Sequence, residues 1–292
     1  GSATVICSDK TGTLTQNVMT VTKLWVDGMT IDVTGSGNEP TGEFQQDGKA
    51  IDLARYPGVT TALWVGTLNN DAQLEKVQMD GKVAYRIVGD PTEGCILIAG
   101  AKAGILQDEL NAAYPREKEI PFDSDRKRFV TIHSIDRPRT EDSSPFNGES
   151  PLRWKSVVVK GGPDVVLGLC TRMQTVDDRV MDLDDRLRQQ ILDANDAMSN
   201  QALRVLGLAY RIVPDVADDF KAEDVEQDLT FVGLVGMIDP ARTEVKPALE
   251  MARGAGIRTI MITGDHASTA RAIAQRDRKS TRLNSSHRLT SR

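Results

Sequence analysis

Near the start of the chain, a carboxylate directly follows an apolar run and precedes small, hydroxyl-bearing residues. Asp9 opens this segment, which runs Asp-Lys-Thr-Gly-Thr-Leu-Thr as far as Thr15. A carboxylate can attack a phosphoryl group as a nucleophile and divide one difficult transfer into two easier steps. The side chain of Lys10 and the backbone N–H groups of Thr11 and Gly12 are suited to hold the transferred phosphate. The pattern therefore predicts an aspartyl-phosphate site.

The element that must position Asp9 is the run from Ala3 to Cys7, which is rich in β-branched residues. Such a run predicts a strand of a parallel sheet, buried on both faces, with Asp9 at its carboxyl end. Open α/β sheets bind ligands at that edge. A surface Asp-Lys turn punctuated by Gly12 would suit any one of these residues, but it does not explain the whole segment after a buried strand.

The segment from Cys7 to Asn17, followed by Met19 to Val21, resembles the phosphorylation motif of P-type ATPases. The resemblance implies that Asp9 accepts the γ-phosphate of ATP, that Lys10 contacts it, and that the Thr11 carbonyl helps to hold Mg²⁺. It also implies membership of the haloacid dehalogenase superfamily, whose phosphatases carry a second Asp two positions after the nucleophile. Thr11 occupies that position here and cannot relay the proton that attacking water must lose, which argues against a simple phosphatase.

Composition narrows the class of protein. A chain of 292 residues favours two domains, each with its own core. Charged residues make up 27% and the net charge is -6, which excludes a basic field for nucleic acid and a polybasic membrane patch. The three cysteines and three histidines show no paired or ligand-like spacing, which indicates a reducing environment and no structural zinc. No apolar stretch approaches the ~20 residues of a membrane span, so we expect a soluble polypeptide.

Both ends of the sequence differ from the pattern of the resembling pumps, which have membrane helices before the phosphorylation motif. We therefore interpret the start as a truncation. Residues 278–292 are basic and Ser-rich, resemble translated sequencing-adaptor sequence, and are predicted to be a non-native disordered tail. The sequence also stops before the family's late lysine and its Gly-Asp-Gly-x-Asn-Asp motif, which supplies a Mg²⁺ ligand. Because phosphoryl transfer depends on that metal, we expect ATP binding with little phosphorylation.

Between these ends the hydrophobic pattern alternates between strands and helices without an internal repeat. The predicted strands are a hairpin over Val21 to Val33, then Lys82 to Val88, Arg128 to Ser134, Trp154 to Val159, Val205 to Arg211 and Phe231 to Met237. The predicted helices are Leu53 to Leu68, Thr92 to Lys102 with Thr92 as its cap, and Asp185 to Ala202. The predicted loops are Thr34 to Gly48 and Pro138 to Pro151.

The predicted fold class is α/β. It comprises a partial haloacid-dehalogenase-like Rossmannoid phosphorylation domain that is split by a mixed α/β nucleotide-binding domain. The phosphorylation domain covers residues 1–20 and 237–277, the second part being truncated, and the nucleotide-binding domain covers residues 21–236. Several sheet strands are missing from the split domain, so we expect an exposed sheet edge that is prone to aggregate.

Three segments of the insertion resemble the nucleotide-binding domain of the same pumps. Gly89 to Glu93 runs Gly-Asp-Pro-Thr-Glu and is similar to the family's Gly-Asp/Glu-Ala-Thr-Glu motif. The resemblance implies that Glu93 polarises or hydrogen-bonds the adenine amino group, directly or through neighbours. Taken alone, the segment is a good helix start, because acids are favoured in the first turn.

The second segment, Pro121 to Phe129, resembles the one in which a phenylalanine stacks on adenine beside cations. The resemblance implies that Phe122 stacks on the base and that Lys127 is the adjacent cation. Ring stacking contributes roughly 1–3 kcal/mol per base. Ser124 stands where the family often has an arginine, so the resemblance does not extend to the phosphate contact of that arginine. From spacing alone, a turn in which Phe122 and Phe129 both anchor the core is a near-equal alternative.

The third segment, Lys160 to Asp164, is similar to the family's Lys-Gly-Ala-Pro-Glu motif. A lysine at a strand end beside glycines lets its ammonium reach an adenine or a phosphate while the backbone approaches closely. Arg204 matches an arginine that contacts nucleotide in the family. Without this context, Lys160 and Arg204 would both be interpreted as solvated surface cations.

The chain then returns to the phosphorylation domain. Asp239 to Arg242 matches the family's Asp-Pro-Pro-Arg hinge, with Ala241 in place of the second proline. By this resemblance, Asp239 and Arg242 belong to the nucleotide site. Thr243 is predicted to cap a helix that continues through Arg253.

A second buried strand is predicted over Arg258 to Ile262, leading to Thr263, Gly264 and Asp265. This arrangement is similar to that of the first site, because Thr263 stands at a strand end as Asp9 does. We expect Thr263 to hydrogen-bond the phosphoryl oxygens, and Gly264 and Asp265 to face the nucleotide or its metal. A generic strand-turn-helix connection is the alternative, but the order along the chain matches the family.

The sequence therefore predicts the cytoplasmic catalytic segment of a cation-transporting P-type ATPase, with ATP and Mg²⁺ as cofactors. Its predicted partners are the transmembrane and actuator domains of a pump at the cytoplasmic face of a membrane, with no nucleic acid. Calcium is the first expectation for the ion, although intramembrane acids select the ion and none are in this chain. The alternatives are a soluble phosphatase of the same superfamily and a catalytically inert ATP-binding remnant.

Overall fold

The computed structural model describes residues 4–79, 81–135, 154–242 and 244–262. The strands are β1 (Val5–Asp9), β2 (Thr20–Val26), β3 (Met29–Val33), β4 (Phe44–Gln46), β5 (Lys49–Ala50), β6 (Gln73–Met79), β7 (Lys82–Val88), β8 (Arg116–Asp123), β9 (Arg128–Ile135), β10 (Trp154–Gly161), β11 (Cys170–Gln174), β12 (Val180–Asp182), β13 (Arg204–Val213), β14 (Leu229–Ile238) and β15 (Arg258–Ile262). The helices are α1 (Pro57–Leu68), α2 (Pro91–Lys102), α3 (Gln107–Ala113), α4 (Pro163–Gly168), α5 (Asp185–Ser199), α6 (Ala222–Val225) and α7 (Val245–Gly254).

Eleven of the strands form one sheet, the main sheet, with the path β5-β4-β3-β2-β14-β13-β10-β9-β8 and with β11 and β12 joined beside β14. Its central strands are buried on both faces, as β10 shows. Val158 belongs to one hydrophobic cluster, with α1 and α2, while Val157 and Val159 belong to a second cluster, with α4 and α5. The main sheet is therefore the middle layer between two layers of helices, which confirms the α/β class.

The helices of the two layers differ in hydrophobic pattern because they are buried to different extents. Helix α1 is apolar on all sides and is buried from Gly58 to Leu68, so it forms part of the interior. Helix α5 is amphipathic and directs Leu187, Ile191 and Met198 into the second cluster while its other sides meet solvent. The two helices pack against opposite faces of the main sheet.

Several predicted elements are confirmed where the local signal is strong. The β2–β3 hairpin turns at Asp27 and Gly28, which both have positive φ (47° and 79°), as a two-residue hairpin loop of this type requires. Strands β7 and β15 have the predicted bounds. The domain boundaries at residues 20 and 237 stay predictions.

Two predictions about helix starts are wrong. The single helix over Leu53 to Leu68 is divided into a 3-10 turn (Leu53–Arg55) and α1, because Pro57 has no N–H group and restricts the residue before it. Helix α2 is capped by Asp90 rather than Thr92, and the Asp90 carboxylate accepts a hydrogen bond of 2.7 Å from the Thr92 N–H. Pro91 then fits the first helical position, where no donor is required.

The sequence pattern missed elements that are short or polar. Strand β4 lies within the predicted loop over Thr34 to Gly48, because Phe44 is buried against the core. The pattern gave no signal for β6, β8, β11, β12 and α3, which are mostly polar or shorter than the usual periodic window. The predicted loop over Pro138 to Pro151, the cap at Thr243 and the tail at 278–292 lie outside the described residues.

Strands β1 and β15 form a separate parallel pair in which Asp9 is opposite Ile262. The parallel arrangement and the position of Asp9 at the carboxyl end are as predicted. The expected burial on both faces is wrong, since Val5, Ile6, Ile260 and Ile262 are 40–56% exposed. Within the described part of the chain the pair has no third strand, and α7 packs against β15, so much of the apolar surface stays in solvent.

Truncating a core aromatic on β14 tests this architecture. Phe231 is fully buried in the second cluster, so Phe231→Ala should lower the free energy of unfolding by about 3–5 kcal/mol in urea titrations. The matched control is Phe122→Ala, since Phe122 is 63% exposed and its removal should change that free energy by less than about 0.5 kcal/mol. Equal losses in the two variants would contradict the layer arrangement.

Candidate nucleotide and phosphorylation sites

A buried ion pair lies where β10 meets the first turn of α2. Lys160 is only 5% exposed, and its Nζ donates hydrogen bonds to Glu93 Oε1 (2.7 Å) and to the backbone oxygen of Asn69 (2.5 Å). The same ammonium lies 5.7 Å from the centre of the Phe129 ring, within the range of a cation–π contact. Burial lowers the pKa of Lys160, and the charge of Glu93 opposes that shift. The structure thus places these two predicted residues in direct contact.

The turn after α1 completes this group and was missed by the sequence analysis. The second oxygen of Glu93 accepts a hydrogen bond from the Asp71 N–H (2.9 Å), and the Glu93 carbonyl accepts one from Asn70 Nδ2 (2.9 Å). Arg116 donates to the Asn70 carbonyl at 2.6 Å. Consecutive polar residues at the end of an apolar helix indicate a turn. No local pattern identifies the partner of that turn, Glu93, which lies more than twenty residues later in the chain. Both oxygens of Glu93 are therefore occupied by protein donors.

Arg204 meets the amino end of α2 from strand β13. Its Nη1 atom donates a 3.0 Å hydrogen bond to Thr92 Oγ1. Burial opposes the ionisation of Asp90, but hydrogen bonds from Thr92 and the charge of Arg204 outweigh it, so the pKa of Asp90 lies below its usual value. The amino end of α2 therefore carries the ionised cap Asp90 beside the Arg204 guanidinium group. Asp90 is a few residues before Glu93, the partner of Lys160.

The β8–β9 hairpin brings Phe122 and Lys127 to the neighbourhood of β10. A register shift between Ile120 and Asp123 interrupts the ladder, and Phe122 projects into solvent with 63% of its surface exposed. Phe129 is buried, so the alternative in which both rings anchor the core is wrong for Phe122. An exposed ring beside exposed Lys127 is compatible with stacking on a base.

Backbone atoms of the hairpin and of β10 approach each other closely at Gly161. A side chain there would put its Cβ 2.5 Å from the Lys127 carbonyl oxygen, which already accepts a 3.0 Å hydrogen bond from the Gly162 N–H. Only glycine fits this approach. The glycine pair of the predicted Lys-Gly-Gly motif therefore joins Lys160 to the turn that carries Lys127.

The second group of predicted residues lies where the chain passes between the two sheets. Thr15 Oγ1 donates to Asp239 Oδ2 at 2.6 Å, and the Val18 N–H donates to Asp239 Oδ1 at 3.2 Å. Arg242 donates to the carbonyls of Thr15 (3.0 Å) and Gly12 (3.1 Å). Asp239 and Arg242 thus link the two chain segments that connect the sheets, and they hold the turn that follows β1.

Asp9 itself is exposed at the end of β1, immediately before a π-helical turn over Lys10–Leu14. The side chains of Lys10 and Thr11 are not described, and Thr263, Gly264 and Asp265 lie outside the described residues. Ile262, the residue before Thr263, is opposite Asp9 in the parallel pair.

Side chains for a preformed metal centre are not gathered in this part of the chain. Among the residues that the structure describes, no group of three or more His, Cys, Asp or Glu side chains could hold an ion. Both ring nitrogens of His133 have partners, the Tyr114 carbonyl and Thr131 Oγ1, and burial lowers its pKa to about 4. Over the same ranges, none of the helices is both long and apolar enough to cross a bilayer.

Comparison with known proteins identifies the family. A family model for the cytoplasmic domain N of P-type ATPases matches residues 58–244. These residues include the ion pair of Lys160 and Glu93, the β8–β9 hairpin and the hinge at Asp239 to Arg242. The chain belongs to the P-type ATPase family.

Individual relatives agree with this assignment. The chain is 38% identical over 275 residues to the calcium-transporting ATPase of Bacillus subtilis (strain 168), covering 94% of this chain. It is 40% identical over 281 residues to the cation-transporting ATPase pma1 of Synechocystis sp., again over 94% of this chain. In both comparisons the chain spans 28% of the relative's length.

Removing the charge of Glu93 should destabilise the protein by about 3–5 kcal/mol in urea titrations at pH 7, because the buried Lys160 ammonium then loses the carboxylate to which it is hydrogen-bonded. The test is Glu93→Gln, which keeps an oxygen acceptor. The control is Glu75→Gln in the exposed pair with Arg86, where both side chains are at least 40% exposed and the loss should be below about 1 kcal/mol.

The pH dependence provides a second measurement of the same pair. Without Glu93, the pKa of Lys160 in the folded state should fall further below its unfolded value of about 10.4. The unfolded state then binds more protons between these two pKa values, so stability rises with pH there. The deficit of Glu93→Gln should therefore shrink as the pH is raised above 7 towards 10. A deficit that stays constant would contradict a charged Lys160 at this position.

Proposed function

We propose that this chain binds ATP at the end of the main sheet where Lys160, Glu93, Arg204, Phe122 and Lys127 lie. The observation that carries the proposal is the buried Lys160–Glu93 pair beside the glycine approach at Gly161. The charged Lys160 is buried there despite the cost of desolvation. The neighbouring Gly161 has no side chain, so another backbone segment can approach it closely. Perturbed, buried ionisable groups of this kind are a mark of functional sites.

The residues of this group have complementary tasks. Phe122 supplies an exposed ring for stacking on adenine. Lys160 presents an ammonium with one proton beyond its two hydrogen bonds to Glu93 and Asn69. Glu93 accepts one protein hydrogen bond on each oxygen, so it contacts the base directly through a remaining acceptor site or acts through Lys160. Lys127 and Arg204 supply positive charge for the phosphates.

Removing the stacking ring should weaken ATP binding without altering the fold. Phe122→Ala should raise the dissociation constant for ATP about tenfold, as expected when one base–aromatic stack is lost. Isothermal titration at constant salt measures this change. The control is Leu106→Ala, another exposed apolar side chain (42%) outside the group, which should leave the affinity unchanged. Equal affinities of wild type and Phe122→Ala would rule out this ring as the adenine platform.

We further propose that Asp9 accepts the γ-phosphate of ATP and forms an aspartyl phosphate. Lys10 would contact the transferred group and offset its charge, and Thr263 would hydrogen-bond its oxygens. Gly264 and Asp265 would face the nucleotide or its metal. Mg²⁺ would be held by the Asp9 carboxylate and the Thr11 carbonyl together with phosphate oxygens and waters, a donor set that suits this ion. Asp239 and Arg242 would place the Asp9 turn relative to the bound nucleotide.

The acceptor is tested by Asp9→Asn. Since little phosphorylation is expected of this chain, the acid-stable, hydroxylamine-labile label that wild type takes from γ-labelled ATP with Mg²⁺ should be weak. It should be absent from Asp9→Asn, because an amide is not a phosphoryl acceptor. Its ATP affinity should stay within about twofold of wild type, since Asp9 is not among the residues proposed to hold the base. Label that persists in Asp9→Asn would place the acceptor elsewhere.

At the level of the whole protein, we propose a pump that couples ATP hydrolysis to cation transport, with this chain at the cytoplasmic face of a membrane. The names of the two relatives support a cation, and one names calcium, which we propose as the ion. The remaining transmembrane and actuator parts would be its partners. Release of phosphate from small phosphoesters that depends on Asp9 would instead support the soluble phosphatase, and ATP binding without any turnover would support the inert remnant.

A further inference from the structure

A second buried carboxylate, Glu226, lies behind the β8–β9 hairpin. Its side chain is only 3% exposed and follows the short helix α6. The two oxygens each accept from a different arginine, Oε1 from Arg126 and Oε2 from Arg128, the latter at 2.5 Å. One acidic side chain therefore holds two cations that are two residues apart on the hairpin.

The two arginines depend on this carboxylate. They are each about three-quarters buried or more, and their Nε atoms have no hydrogen-bond partner among the residues that the structure describes. Burial lowers the pKa of Arg128, and the like charge of Arg126 lowers it further. Arg128 also donates to the Arg126 carbonyl at 3.0 Å. Without Glu226, two adjacent buried cations would repel each other across this turn.

Lys127 lies between the two arginines in a left-handed conformation, with φ of +54°. A lysine adopts that conformation only where the surroundings impose it. Its N–H donates to the Asp123 carbonyl at 2.7 Å, and its carbonyl accepts from the Gly162 N–H at 3.0 Å. The residues on both sides are held by Glu226, while Lys127 itself is exposed.

We propose that Glu226 is a positioning residue of the nucleotide site. By binding Arg126 and Arg128 together, it holds the turn so that Lys127 and the nearby Phe122 face the nucleotide. Glu226 itself does not touch the ligand. This inference rests on the proposed ATP site, and it assigns to that site a residue that lies about one hundred positions later in the chain than the turn it orders.

The first measurement compares ATP affinities by isothermal titration, with the full 292-residue chain well below its unfolding temperature. Glu226→Gln should weaken ATP binding about fivefold to tenfold. The matched control is Glu117→Gln, which removes the carboxylate partner of Lys155 at the other end of β8 and should change the affinity less than about twofold. Unchanged affinity in Glu226→Gln, or an equal loss in both variants, would overturn the proposal.

A double-mutant cycle separates positioning from a general loss of structure. If Glu226 acts through the turn, Glu226→Gln should have less than about a twofold effect on ATP affinity once Lys127→Ala and Phe122→Ala are already present. An undiminished loss in that background would show that Glu226 acts on the whole protein, and would overturn the proposal. If Glu226→Gln does not fold, Glu226→Asp replaces it, since a carboxylate one methylene shorter cannot reach both arginines. Its ATP affinity should fall between those of wild type and the Lys127 and Phe122 double variant.

Hydrogen exchange in the absence of nucleotide distinguishes failure of this inference from failure of the proposed function. The Lys127 amide should exchange faster in Glu226→Gln than in wild type, while amides of the core strand β10 exchange at equal rates. Equal exchange at Lys127 overturns the positioning role whatever the ATP affinity. Wild-type protein that binds no ATP overturns the proposed function, and the exchange comparison still decides whether Glu226 orders the turn.

Discussion

Burial of the Lys160 ammonium is the constraint on which the proposed nucleotide site depends. A charge can stay in the interior only if opposite charge and hydrogen-bond acceptors surround it. Here the acceptors come from α2 through Glu93 and from the turn after α1 through Asn69, and the ring of Phe129 comes from β9. Three elements must therefore meet β10 in one arrangement for the fold to tolerate this lysine. Satisfying one buried charge thus fixes the geometry of the site.

Around this buried centre the groups proposed to face the ligand are exposed. Phe122 and Lys127 project from the β8–β9 hairpin, whose base is fixed by Glu226 on one side and by the close approach to Gly161 on the other. A site built on strands and helices keeps its groups in place before a ligand arrives, which reduces the entropy lost on binding. Binding surface and stability are therefore supplied by different residues of the same hairpin.

The link to the second sheet is made by the two passages of the chain at Thr15 and Asp239. Their hydrogen bonds, with those of Arg242, hold the turn after Asp9 against the end of β14. Arg204 is opposite Met237, two residues before Asp239 in the chain. The turn proposed to accept phosphate and the residues proposed to bind nucleotide are consequently attached to the same end of the main sheet.

The sequence by itself determined features that depend on near neighbours. The Asp27–Gly28 turn, the bounds of β7 and β15, and the motifs that contain Asp9, Glu93 and Lys160 are local patterns of residue type and spacing. Tertiary structure alone decided the burial of Lys160, the exposure of Phe122 and of β1, and the part played by Glu226. Burial and charge pairing depend on what packs against a residue, and these partners come from distant parts of the chain. No local pattern specifies them, because the free energy of a buried charge belongs to the whole group of residues around it.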